Sequence, residues 1–395
     1  MLLNFFLWII YVYLTFWVAY FLFFAVVAHL RHSRPIGRSW SASFLVLYPA
    51  YKEDRVIIES VENALKHNYP NDMFDVLVIA DSLKSETIEE LRQLGAEVLE
   101  VSFERSTKSK SLNAALGHVY KEYDAVVVLD ADNHMEPNFL SKMATKYNRG
   151  GKAIQGHRTA KNTNTKLAYL DAVSEEVNNH IFRLGHRKVG LSSALIGSGM
   201  VFDYTLFKDV MPQVEAVGGF DRELELRLIG QGIKIEYVHD AYILDEKVQR
   251  QEVFHNQRRR WLAAQLHYFR RYALSGLKAL FRGKLDYANK VVQGIQVPRL
   301  LLPGLIAIFG AAAAILSLSP SWIYWLASFV GVVAALMVAT PRRFYTKELL
   351  KATLELPRTF VSMLGLLFKL RGANKTFIHT EHGKVEKEEE ASHSH

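Results

Sequence analysis

The stretch "VVVLDADNHMEP" sets two carboxylates, Asp130 and Asp132, just past a run of apolar residues. On an extended chain end they point to the same side, with Ala131 between. Such a pair of oxygen ligands suits a hard divalent cation, which fills its remaining positions with substrate phosphates. "TKSKSLNAAL" brings Lys108 and Lys110 to the start of a helical pattern. A lysine at a helix amino terminus suits phosphate, and a solvated loop lysine is the plain alternative. "GGFDRELELRLIGQG" opens on a glycine turn and carries Asp221, Glu223 and Glu225. In a helix Asp221 and Glu225 share a face and Glu223 points away. Acids in such a place are usually helix-start charges or ion-pair partners, and one of them can be a catalytic base. Spacing alone does not choose among them. "VFHNQRRRWLAAQLHYFRR", from Val253 to Arg271, presses arginines against aromatic rings. Nucleic acid, anionic lipid headgroups and a sugar nucleotide all ask for that composition.

Something must hold these residues together. From Ser41 to Asp245 short apolar runs alternate with helical patterns. "SFLVLYPAY", "FDVLVIAD", "AEVLEVS" and "YDAVVVLDAD" read as strands. "DRVIIESVENALKHN", "SETIEELRQLG" and "SKSLNAALGHVY" read as the helices between them. This alternation predicts βαβ units and a mostly parallel sheet covered on both faces. Ligands then bind at the carboxyl ends of the strands. Tyr51, Asp81 and the Asp130–Asp132 pair fall at such ends.

The chain has 395 residues, a formal net charge of +8 and no cysteine. The excess of basic residues points to an anionic partner, and the missing cysteines exclude a disulfide framework. The uncharged segment from Phe5 to Leu30 predicts a retained transmembrane helix, since it lacks the basic start and cleavage site of a signal peptide. The block from Leu300 to Thr340, broken by "SLSPSW", predicts a helical hairpin. "RHSRPIGR" and "PRRFYTK" place both flanks, and the domain between them, in the cytoplasm. "YTKELLKATLELPRTFVSMLGLLFKLRG" is too interrupted to span and reads as an amphipathic helix on the membrane surface. The tail "KVEKEEEASHSH" reads as disordered. The expected divisions are therefore 1–34 (transmembrane helix), 35–250 (catalytic domain), 251–294 (interfacial helices), 295–341 (hairpin), 342–383 (amphipathic segment) and 384–395 (tail).

In order, "YPAYKE", "IADS", "KSKSLN", "DAD", "GSGM", "FDRELELRL" and "QRRRW" resemble the membrane-integrated family 2 glycosyltransferases: the cellulose, chitin and hyaluronan synthases and their smaller relatives. The resemblance covers roughly residues 44–261 and the flanking membrane helices. It implies an α/β GT-A fold with a mostly parallel sheet, plus transmembrane and interfacial helices. It also implies donor contacts from Tyr51 (to the base), Asp81 (to base or ribose), Lys108 and Asp130, with Asp130 and Asp132 holding Mg²⁺ or Mn²⁺ on the diphosphate. Asp221 falls at the general base, although Gly219 and Phe220 stand where the family carries Thr and Glu, and Lys110 stands where it carries glycine. Gln257, Arg260 and Trp261 match Q-x-x-R-W. Arg260, with Arg258 or Arg259, would neutralise the departing pyrophosphate, and Gln257 and Trp261 would meet the acceptor.

The implied reaction is inverting transfer from a nucleotide sugar, expected to be a UDP-sugar, to a growing polysaccharide or lipid-linked glycan at the cytoplasmic face of the cell membrane. Anionic lipids would be further partners. The alternative is a glycolipid synthase of the ceramide glucosyltransferase kind. A non-catalytic scaffold fits poorly with this set of residues. The membrane segments and the lack of a nucleic-acid fold signature argue against nucleic acid.

Overall fold

The computed structural model describes residues 2–30, 35–216 and 218–368. Eight strands form one sheet: β1 (Phe44–Tyr51), β2 (Phe74–Asp81), β3 (Glu97–Val101), β4 (Ala125–Val128), β5 (His134–Met135), β6 (Ala153–Ala160), β7 (Met200–Asp203) and β8 (Ile235–Asp245). Their order is β3-β2-β1-β4-β7-β6-β8-β5. The β3-β2-β1-β4 half is all parallel, as the alternating pattern requires. Antiparallel β7 then joins β4 to β6, and β6 pairs β8 in parallel.

The helices are α1 (Leu2–Val27), α2 (Ile57–Leu65), α3 (Ser85–Gln93), α4 (Lys108–His118), α5 (Phe139–Asn148), α6 (Lys166–Asn178), α7 (His186–Lys188), α8 (Tyr204–Val210), α9 (Phe220–Gly230), α10 (Gln251–Phe281), α11 (Leu285–Val292), α12 (Leu302–Ile315), α13 (Trp322–Ala339), α14 (Lys347–Thr353) and α15 (Leu356–Phe368). Strand side chains alternate between the two faces of a sheet. Leu45 and Leu47 of β1 accordingly pack with α4, α8, α9 and α11. Phe44, Val46 and Tyr48 pack on the other face with α2 and α5.

A third core joins α1, α12, α13 and α15. Along α1, Trp17 and Phe21 are fully buried, whereas Phe5, Phe6, Ile9, Val12 and Phe16 lie exposed. Ile323, Leu326 and Val330 of α13 are exposed in the same way. The bundle thus has a packed inside and an outer face rich in exposed apolar side chains. At its far end Trp8 donates from its indole nitrogen to Ser319 Oγ (3.1 Å). At its near end His29 Nε2 lies 3.1 Å from the Val338 carbonyl. Hence α1 and α13 run the same way and α12 runs against them.

Two expectations change in detail. The first arm of the hairpin is helical for only 14 residues, about 21 Å at the usual rise. That is short of the roughly 30 Å of a hydrocarbon core, because a turn closed on the Pro298 carbonyl occupies the residues just before Leu302, and Pro303 sits in the first helical turn, where its missing N–H is tolerated. The segment after the hairpin is two short helices rather than one. Ala352 of α14 packs with Tyr169 and Ala172 of the sheet domain, and Met363 of α15 packs with the bundle. The expected tail, 384–395, lies outside the described residues.

Candidate active site

A cavity of about 490 Å³ opens at the carboxyl ends of the parallel strands. Tyr51 and Asp81, the last residues of β1 and β2, are register partners and both line it. The next residues, Lys52 and Ser82, have φ of 56° and 60°. Left-handed backbone at two adjacent non-glycine positions is strain of the kind that gathers at ligand sites. Asp81 is buried. Its Oδ1 accepts from Ser82 Oγ (3.1 Å) and its Oδ2 has no hydrogen-bond partner. A buried carboxylate oxygen left open in this way takes a donor from water or from a ligand in the cavity.

The third wall carries the acidic pair. β4 ends at Val128, so Asp130 and Asp132 sit in the turn beyond it. Asp130 is half-exposed to the cavity, while Asp132 is buried. Asp132 accepts from the Glu246 backbone N–H (2.8 Å) and Asn133 Nδ2 (3.2 Å). Lys108, the first residue of α4, donates to Asp130 Oδ1 (2.5 Å), the Leu129 carbonyl (3.1 Å) and the Gly197 carbonyl (2.8 Å). All three ammonium protons are engaged, so Lys108 ties the acidic turn to the loop opposite. Lys110 instead donates to the Arg105 carbonyl (2.9 Å) and is not among the residues lining the cavity.

Two further cavity groups, Asp245 and Arg158, were not singled out from the sequence. Asp245, at the end of β8, faces Lys247 (2.7 Å) and Arg158 (3.5 Å). Burial raises its carboxyl pKa, but the two cations outweigh burial and hold it below the ordinary value. Arg158 also pairs with Glu175 (3.0 Å) on α6. "AYILDEK" ends a strand on an acid, which was the available clue.

The three acids of α9 separate cleanly. Glu223 is buried and held by Arg227 (2.8 Å) and Tyr268 (3.3 Å). Glu225 is buried against Lys290 (3.0 Å) and accepts from the Leu195 N–H (3.1 Å). Only Asp221 of the three lines the cavity. Burial raises its pKa and the Glu225 charge adds to this, partly offset by the Arg222 N–H and by Lys108 and Arg158. Gly219 starts this helix at φ 67°, and a Cβ there would come within 2.9 Å of Ala264 on α10. The glycine thus lets α9 and α10 meet closely, which brings Asp221 beside the "QRRRW" segment.

Gln257, Arg260, Trp261, Ala264 and Gln265 of α10 line the cavity. Their spacing is one face of a helix. Burial lowers the pKa of Arg260, and the charges of Asp130 and Asp221 oppose this. Its guanidinium therefore lies within the field of both carboxylates. Gln257 Oε1 is buried without a partner. Arg258 departs from the donor role expected for it. It ion-pairs with Asp171 and stacks on Phe254 (4.8 Å) and Trp261 (4.5 Å), and it is absent from the cavity wall. Each helix residue turns about 100° from the last, so Arg258 cannot share the face of Arg260.

Among the described residues no group of three or more His, Asp or Glu forms a metal cage. Asp130 and Asp132 fit a hard cation that draws its remaining oxygen ligands from phosphate and water.

Residues 42–264 match the family described as glycosyltransferase like family 2. Glucomannan 4-beta-mannosyltransferase 7 of Arabidopsis thaliana is 24% identical over 261 residues, covering 59% of this chain and 45% of that protein. The probable glucomannan 4-beta-mannosyltransferase 15 of the same plant is 24% identical over 251 residues, covering 59% and 46%. The chain thus spans less than half the length of these curated relatives. A mannosyltransferase from Pyrobaculum calidifontis, solved with GDP-Man and Mn²⁺, superposes with a TM-score of 0.53 at 17% identity, covering 84% of this chain and 98% of that one.

Proposed function

The chain belongs to glycosyltransferase like family 2, and from that premise we propose that it moves a hexosyl unit from a nucleoside diphosphate sugar to a glycan acceptor with inversion. The observation that carries this reading is one cavity that joins the Tyr51–Asp81 strand ends, the Asp130–Asp132 turn, Asp221 and the Arg260–Trp261 face of α10. Tyr51 and Asp81 take the nucleoside. Arg260 faces the diphosphate as it leaves with the bonding electron pair, a place where fixed positive charge stabilises the transition state. Asp221 takes the proton of the acceptor hydroxyl as its oxygen attacks the anomeric carbon. Its raised pKa makes it a better base than an ordinary aspartate. Asp130 and Asp132 would hold Mg²⁺ or Mn²⁺, which supplies charge neutralisation to the diphosphate.

The donor expected from the resemblance is a UDP-sugar. The curated relatives are mannosyltransferases and the solved neighbour holds GDP-Man, which favours GDP-mannose. We read α1, α12 and α13 as a membrane bundle. The sheet domain lies at the end where α1 and α13 finish, and the Arg- and Lys-rich flanks put that end in the cytoplasm. The exposed basic and apolar residues of α10 and α11, among them Arg270, Leu274, Lys278, Phe281 and Leu285, then rest on anionic lipid.

The test incubates the full chain in detergent with GDP-mannose, UDP-glucose or UDP-N-acetylglucosamine and Mn²⁺. Nucleoside diphosphate release is measured and products are sized. Release that is abolished by a chelator and by Asp132→Asn supports the reading. No release from any of these donors sinks it. A single glycolipid product would instead favour the glycolipid synthase alternative.

A further inference from the structure

Lys290 of α11 is completely buried, and so is Glu225 of α9, which it meets at 3.0 Å. A buried ion pair contributes little stability that an apolar pair of the same size would lack. What it does supply is fixed charge, here one helical turn from Asp221 and on the face of α9 that Asp221 and Glu225 share. Glu225 Oε1 accepts from Lys290 Nζ and from the Leu195 N–H (3.1 Å), and its Oε2 accepts from Arg222 (2.5 Å). Arg222 also donates to the Lys290 carbonyl, which clamps α9 to α11 a second time. Burial raises the Glu225 carboxyl pKa, but the Lys290 and Arg222 charges outweigh burial and hold it below the ordinary value. Burial lowers the Lys290 pKa, and the Glu225 charge opposes this.

Anchors on either side hold Lys290 in place. Its neighbour Asn289 accepts from Tyr20 Oη of α1 (2.9 Å), and Gln293, one turn on, donates to the same hydroxyl (3.0 Å). Asp286, one turn back, accepts from the Ser192 N–H (2.8 Å) and Oγ (2.6 Å). The loop from Ser192 runs through Leu195 to Gly197, where φ is 85° and a Cβ would lie 3.8 Å from Asp221 Oδ2. The contacts of α11 thus fix both the helix that carries Asp221 and the loop that packs against it. Around Asp221, Lys108 of α4, Arg158 of β6 and Arg260 of α10 bring positive charge, and α10 adds the Tyr268 phenol. Asp130 shares the field of Arg260 across the cavity, and Glu225 stands behind the base as the negative charge of its own helix face.

We propose that Lys290 is a positioning residue for the transfer: paired with Glu225 behind α9, it fixes where Asp221 stands and how much negative charge it faces. This rests on the transferase reading above.

The test compares wild type, Glu225→Gln, Lys290→Met and the double variant, each as the full chain in detergent with Mn²⁺ and whichever of the three donors above is turned over. The readouts are the pH dependence of kcat, the donor KM and a thermal melt. A like charge one helical turn away moves a carboxyl by about one to two pH units at an effective dielectric constant near 20. Glu225→Gln removes that charge, so the acid limb of kcat should fall by about this much. In Lys290→Met, Arg222 keeps Glu225 ionised but less compensated, so the limb should rise. The double variant should fall with Glu225→Gln, and donor KM should hold throughout. Opposite shifts in the two single variants uphold the proposal. A limb that stays in place in folded variants, shifts of the same sign, or a loss confined to donor KM overturns it and leaves the transferase reading intact. If Lys290→Met does not fold, Glu225→Gln and the double variant decide, and a limb at the wild-type position in either overturns the proposal. If no donor is turned over, the transferase reading falls and stability answers in place of rate. The melting advantage of Asp221→Asn at pH 8 should then shrink in the Glu225→Gln background and grow in the Lys290→Met background. An equal advantage in every background overturns the proposal.

Discussion

Asp81 Oδ2, buried and without a partner, lies at the end of β2 in register with Tyr51 at the end of β1. On the proposed reading, this ring and open acceptor at neighbouring strand ends take the nucleobase or ribose. Hydrogen bonds to a charged group contribute about 1.5–3 kcal/mol. Asp81→Asn should therefore weaken binding of GDP or UDP by roughly 10–100-fold, read by isothermal titration. Unchanged affinity for both nucleotides would remove Asp81 from the site.

Asp221→Asn should lower turnover by about 10²–10⁴, the usual worth of a general base, while nucleotide affinity holds. The raised pKa sets the sign of the pH dependence. A base must be ionised, so the acid limb of kcat should lie above the pH expected of an ordinary aspartate.

Stability runs the other way at the same residue. The folded pKa of Asp221 exceeds its unfolded value, so its ionised form costs stability once pH rises through the folded pKa. Asp221→Asn should melt higher than wild type at pH 8, and the difference should fade as pH falls below the unfolded pKa. A variant that melts lower at pH 8 would show that the carboxylate holds α9 in place rather than acting as a strained base.

Arg258 and Arg260 should separate by readout. Arg260→Lys should lose turnover, since a point charge cannot reproduce a planar fork. Arg258→Ala leaves Asp171 buried without its partner and uncovers one face of Trp261. Breaking a buried pair typically costs about 3–5 kcal/mol, so Arg258→Ala should show chiefly in the melt and in acceptor KM. Loss of nucleotide affinity in Arg258→Ala at full stability would restore it to the donor side.

The absence of cysteine makes the hairpin testable by single-cysteine labelling. Ser321→Cys, at the turn between α12 and α13, should react with an impermeant maleimide from outside intact cells. Tyr345→Cys should react only after the membrane is opened. Equal labelling of both would contradict a membrane bundle.

The parallel half of the sheet was legible in the sequence because its signals are local. "FDVLVIAD" coincides with β2, and the helices between strands sit within a few residues of their periodic patterns. The Asp130–Asp132 pair, Tyr51 and Asp81 could be picked out because they fall at or just beyond strand ends, and all four line the cavity. The apolar content of α1 and α13 was equally plain. Spacing could not rank Asp221, Glu223 and Glu225, because all three occupy one helix start. Lys290, Arg227 and Tyr268 decide among them, and each partner of Glu225 or Glu223 beyond its own turn arrives from distant sequence. Arg258 and Arg260 are likewise the same residue type two positions apart. Only the packing of α10 on α9, through Gly219 and Ala264, fixes which of them turns to the cavity. Asp245 carries only the weak local mark of a strand ending on an acid, and its partner Arg158 arrives from β6. Residue types and periodicity determined which elements form and what chemistry they can carry. The long-range contacts that order α10, α11 and α1 around the cavity decided which of those groups face one ligand.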